Sequence, residues 1–81
     1  MAAFDGQCDI RLAGVEPEGN AHLELKAVDG TFGWTYFLSE ARLSREILAI
    51  GLAAITSNKR VHVQMGDTTK WSRIYRFLLV A

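Results

Sequence analysis

Eighty-one residues make one small domain over 1–81, too short for two cores and near the size at which burying surface barely sustains a fold. With 49% hydrophobic and 22% charged residues and one proline, the composition excludes disorder, collagen-like repeats and low-complexity tracts; the single Cys8 excludes an intrachain disulfide, and with two histidines it falls short of a structural zinc set. The formal net charge is zero, yet residues 1–40 hold two cations against seven acids and residues 41–81 seven against two, leaving −5 and +5.

A strongly basic nucleic-acid binder carries its surplus overall, whereas this balance suits two halves that neutralise one another, within a chain or between copies. The first element is a strand, because Cys8, Ile10 and Leu12 alternate with Gln7, Asp9 and Arg11, the period of two that turns one face inward. Gly14 to Asn20, with two glycines, Pro17, Glu16 and Glu18, reads as a loop. His22 to Val28 alternates again as strand two, with Leu23, Leu25 and Ala27 inward. Asp29-Gly30 signals a two-residue hairpin, since a type I′ turn needs positive φ at both central positions. Phe32 to Leu38 follows as strand three, and core burial is expected for the face formed by Phe32, Trp34, Tyr36 and Leu38.

Ser39 suits the N-cap of a helix from about Glu40 to about Thr56, with Glu40 placing negative charge in its first turn. Asn58 suits the left-handed position beyond its end, and Lys59 and Arg60 complement the last carbonyls. Val61, Val63 and Met65 alternate with Arg60, His62 and Gln64 as strand four, Gly66 to Lys70 is a polar turn, and Ser72 to Val80 is strand five. The expected class is mainly β with one long helix, in the order strand-strand-strand-helix-strand-strand. That is the order of the OB-fold, a five-stranded Greek-key barrel, and equally of a half-barrel or an open α+β sheet.

No catalytic residue, metal or cofactor is expected. His22, His62 and Cys8 fall on different elements, as two solvent-facing strand histidines and a core cysteine. Ser39, Ser44, Ser57 and Ser72 sit at element boundaries, where capping and turn roles account for them. Gly66-Asp67-Thr68-Thr69-Lys70 lacks the Gly-Lys-Thr order of a phosphate loop and joins two strands. Gly30 and Gly33 open no helix, so they form no dinucleotide fingerprint. Trp71 stands between Lys70 and Arg73 at the mouth of the last strand. There it either meets a ligand together with Asp67 or Arg73, or packs on the barrel rim.

The helix carries a second signal, since Ile47 to Ile55 holds no polar residue although a helix capping a small barrel needs one apolar stripe. At about 100° per residue, Leu43, Ile47, Leu48, Gly51, Leu52 and Ile55 cover the core side. Arg42, Glu46, Ala49 and Ala53 form a second stripe, a candidate contact between subunits because small side chains let backbones approach; the helix propensity of alanine accounts equally for its alanines. No run reaches the ~18 apolar residues of a membrane span. No leader separates Met1 from the first patterned segment, so the chain is made without a signal or begins after one was removed.

The strand near Cys8, the segment WTYFLSEA, and the run ILAIGLAAITSNKRVHVQM together resemble the receptor-binding B subunits of pentameric bacterial toxins, particularly the subtilase-cytotoxin and pertussis-like branch. Ser39 to Gln64 is the most specific portion. The resemblance implies a bacterial protein, secreted or periplasmic, with an OB-fold, assembled as a homo-oligomeric ring such as a pentamer with helices toward the pore, and binding cell-surface glycans or a partner protein. Without it a cytoplasmic location is expected. That group has paired cysteines where this chain has Cys8 alone, and its sugar-binding residues find no match here, so no glycan site is carried over. The alternative is a single-stranded nucleic-acid-binding OB-fold using Trp71, Arg73, His62 and Arg60; at zero net charge such binding is expected to be absent or weak. A third reading is an accessory protein with no small ligand.

Overall fold

A computed structural model describes residues 3–81; Met1, on which the leader expectation falls, lies with Ala2 outside the described residues. The elements are β1 (Phe4–Val15), β2 (Ala21–Ala27), β3 (Thr35–Ser39), a 3-10 turn (Ala41–Leu43) leading into α1 (Ser44–Ser57), β4 (Val61–Met65) and β5 (Arg73–Leu79). They close into a barrel in the order β1-β2-β3-β5-β4, an OB-like architecture. Closure depends on the 12-residue length of β1, which pairs with β4 over Phe4 to Cys8 and with β2 over Cys8 to Val15. The last seam is parallel, β3 against β5.

The alternation read for β1 holds only to its middle. Its register against β2 shifts between Ile10 and Leu12, leaving Arg11 as a bulge residue. The extra residue reverses the faces beyond it, so Leu12 is exposed and Ala13 packs on the core, correcting the inward placement of Leu12. In β2 and β4 the expected inward residues, Leu23, Leu25, Ala27, Val61, Val63 and Met65, are all buried.

In β3 the expected faces are exchanged. Phe37 and Ser39 are fully buried, while Trp34, Tyr36 and Leu38 are only half-buried on the outer side. Ser39 is therefore no helix cap: its Oγ accepts the Ala21 N–H at 2.9 Å and its carbonyl accepts the Asn20 amide at 2.8 Å. Deprived of that cap, the helix enters through a 3-10 turn, later than Glu40. The Asp29-Gly30 connection is also wider than a two-residue turn. Only Gly30 has positive φ, and the Asp29 carboxylate accepts both the N–H and the hydroxyl of Thr31. Phe32 thus leaves the strand and packs edge-on between Phe4 and Phe37 at one barrel end.

Helix α1 seats Ile47, Gly51 and Ala54 on the barrel. Glycine at 51 allows the close approach, because a Cβ there would stand 3.1 Å from Leu23 Cδ2 and 3.2 Å from Ala13 Cβ. This contact rotates the buried stripe toward Ile50 and Ala54, so Leu52 and Ile55, expected inward, are exposed. Asn58 closes the helix at φ 56°, ψ 47°, with the Lys59 N–H donating to the Ala54 carbonyl at 2.9 Å, the left-handed ending read from sequence.

A candidate ligand face on β2, β3 and the β4–β5 loop

Because Phe37 and Ser39 take the interior, Trp34 and Tyr36 stand on the outer face beside His22, Glu24 and Lys26 of β2. The loop joining β4 to β5, residues 66–72, folds against this face: the Trp71 N–H donates to the Tyr36 carbonyl at 2.8 Å and the Leu38 N–H to the Ser72 carbonyl at 3.2 Å. Trp71 adopts φ 72°, the left-handed region, and lies nearly parallel to Tyr36 with ring centroids 5.8 Å apart and planes at 16°. His22 meets both rings edge-on, at 5.1 Å from Tyr36 and 5.2 Å from Trp71. Its Nδ1–H donates to the Glu16 carboxylate from the β1–β2 loop, while Nε2 is buried without a hydrogen bond. His22 is thus an orienting member of an aromatic cluster, correcting the solvent-facing reading.

A second aromatic station lies one strand step away. The bulge aims Arg11 so that its guanidinium sits 4.2 Å over the Trp34 ring while donating to Glu24 at 2.8 Å, and the Lys26 ammonium is 5.5 Å from the same ring. Glu24 is buried, and its hydrogen bond to Arg11 holds its carboxyl below the usual range and the guanidinium pKa up. Lys70 serves the other station, 5.2 Å from Trp71 and 5.7 Å from Tyr36.

Trp71 is exposed at 43%, resting on Tyr36 with its ring available to solvent. Tyr36, His22 and Lys70 meet its ring. Asp67 accepts the Thr68 N–H at 2.7 Å, and Arg73 is exposed in register with Leu38. Arg60 and His62 lie elsewhere, on β4 and its approach, donating to Asp9 at 3.1 Å and to Asp5 at 2.5 Å. The Arg60–Asp9 contact carries part of the expected neutralisation of one half by the other. On α1, Arg42, Glu46, Ala49 and Ala53 are all exposed.

Sequence reasoning missed Tyr36, Trp34, His22, Glu16 and Arg11. One available signal was that β3 offers Phe37 against Trp34 and Tyr36: phenylalanine has no polar handle, whereas tryptophan and tyrosine tolerate a half-wet face. On OB-fold barrels this face, with the β1–β2 and β4–β5 loops, is where oligonucleotides and oligosaccharides bind. The chain matches no family model, no curated protein and no solved structure.

Proposed function

We propose that the chain is a non-enzymatic binding module that recognises carbohydrate at the Trp71 station and works as a homo-oligomer. The observation that carries this reading is Trp71 itself, a bulky residue held at φ 72° and still 43% exposed. Such strain costs about 1–3 kcal/mol, so a fold that keeps it while leaving the ring in solvent is presenting that ring. Beside the ring, the Lys70 ammonium supplies a donor, and His22, which meets the ring edge-on, carries the Glu16 carboxylate on its Nδ1 side. An apolar platform bordered by hydrogen-bonding groups matches a pyranose, which offers a CH face and a rim of hydroxyls. Zero net charge also suits a ligand not held by phosphates.

The oligomer is supported by the exposed apolar residues of α1 and β5: Leu52 is 48% exposed on the helix that also exposes Ala49 and Ala53, and Leu78 and Leu79 of β5 are 44% each. The pentameric ring, export and a receptor-binding role belong to the same proposal through the toxin B-subunit resemblance. A glycan array tests the ligand: wild type is expected to bind and a folded Trp71→Ala variant to lose binding, and retained binding refutes the site. Sedimentation tests the assembly, with Ala49→Glu/Ala53→Glu expected to give monomers; a wild-type monomer at micromolar concentration refutes it.

A second reading, single-stranded nucleic acid, is favoured by one specific observation: cations flank both aromatic stations, Arg11 and Lys26 at Trp34 and Lys70 at Tyr36 and Trp71. Trp34 and Tyr36 are two residues apart, about 7 Å along a strand, a spacing successive bases can span. Submicromolar binding to a single strand that falls steeply with salt would place this reading above carbohydrate.

A further inference from the structure

Below Trp34, at the barrel end where α1 stops, lies a cleft of about 840 Å³ between β1, the C-terminal turn of α1 and the start of β4. Its side chains include the cations Arg11, Lys59 and Arg60 and the acid Asp9, its walls include the Trp34 ring and the aliphatic Ile10 and Ile55, and Val80 and Ala81 also line it. We infer that this cleft is a binding site for a nucleotide, a phosphate carried on a flat heterocycle, separate from the Trp71 station.

Three features support the assignment. The cations are only partly committed. Arg11 gives one terminal nitrogen to Glu24 and Arg60 gives Nε to Asp9, leaving further N–H donors on each guanidinium, and Lys59 takes part in no ion pair among the described residues. At the negative end of α1 the Ile55 and Ala54 carbonyls are closed by the backbone N–H groups of Asn58 and Lys59, and the cations Lys59 and Arg60 follow directly on that end. Trp34 and the Arg11 guanidinium 4.2 Å over its ring are both groups on which bases stack. Volume also fits, since small-ligand sites occupy about 300–1,000 Å³.

The site needs neither Trp71 nor the carbohydrate reading; it shares Trp34 and Arg11 with the single-strand reading, and Lys59, which lines the cleft, keeps the failure of the two distinguishable. In nitrogen-15 NMR spectra the two indole N–H signals, assigned with Trp71→Phe, report the two places independently. Titration with AMP is expected to shift the Trp34 signal and leave Trp71 unmoved. Adenosine should bind about tenfold more weakly for want of the charge-assisted contact, and Lys59→Glu should weaken AMP about tenfold while Lys70→Glu does not. A deoxythymidine oligonucleotide distinguishes the source: tighter binding than AMP that shifts Trp34 and depends on Lys59 means a nucleotide within a strand, and weaker binding means a free one. The inference is overturned if millimolar AMP shifts neither indole, if it moves Trp71 instead, if adenosine equals AMP, or if inorganic pyrophosphate binds as tightly as AMP.

Discussion

Replacing Trp71 by alanine and by glycine tests the platform through the backbone as well as the ring. Full burial of a tryptophan removes up to about 250 Å² from water. With 43% of Trp71 still exposed, roughly 140 Å² is covered, worth about 3.5 kcal/mol at ~25 cal/mol per Å². Residual burial in the unfolded chain trims that by ~10–40%, so Trp71→Ala is expected to cost about 2–3 kcal/mol. Alanine, however, keeps the left-handed strain that glycine relieves. At φ 72° the relief is about 1 kcal/mol net of the extra chain entropy glycine loses. The expected order of stability in urea denaturation is therefore Trp, then Gly, then Ala, with Trp71→Gly melting about 4–8 °C above Trp71→Ala for a domain of this size. Ordinary backbone reverses the last two. An alanine variant more stable than the glycine variant would refute the left-handed Trp71, and two variants as stable as wild type would refute the stack on Tyr36.

Gly51→Ala is expected to destabilise by about 1 kcal/mol, although helix propensity alone favours it by ~0.8–1, because the new methyl meets Leu23, Ala13 and Ile10 at 3.1–3.3 Å and overpacking costs about 1–3; a rise in urea midpoint refutes that close contact. Cys8 is fully buried, its thiol pushed up to about 12 first by burial and then by Asp29 and Asp9. Iodoacetamide should modify it only in denaturant, and since the unfolded thiol deprotonates from its usual 9.0, stability should fall as pH rises from there toward 12, a loss absent in Cys8→Ala. Glu24 is held below its usual 4.5 by the Arg11 hydrogen bond, so its contribution is complete above that pH and disappears as pH falls through the folded value. Arg11→Ala should flatten this acid limb in denaturation measured between neutral pH and pH 3, and an unchanged limb refutes the pairing.

The legible part of this fold was the part set by local period and local caps. Val61, Val63 and Met65 declare one inward face with nothing to disturb it, and Asn58 tolerates the left-handed backbone that ends α1. What escaped depended on contacts distant in sequence. The bulge at Arg11 is a property of the pairing with β2, and it exchanges the faces of β1 beyond that point without any signal in the alternation itself. Likewise, Ser39 is an ordinary cap residue by its neighbours, and only Asn20 and Ala21, about twenty residues earlier, draw it inward. The helix stripe shifted for the same kind of reason, since a glycine at the contact lets α1 approach through its smallest residue rather than its largest.

The candidate face follows from that one exchange in β3. A buried hydroxyl is costly without partners, and Ser39 finds one in the Ala21 N–H while its carbonyl takes the Asn20 amide, tying the end of the β1–β2 loop to β3. Strand parity then puts Phe37, two residues before Ser39, on the inner face and its neighbour Tyr36 on the outer one, where the Tyr36 carbonyl accepts the Trp71 N–H. The same loop that Asn20 anchors carries Glu16, which orients His22 against both rings. A polar residue in the core thus positions the aromatic residues at the surface, and the two loops that border the face are fastened through the same strand.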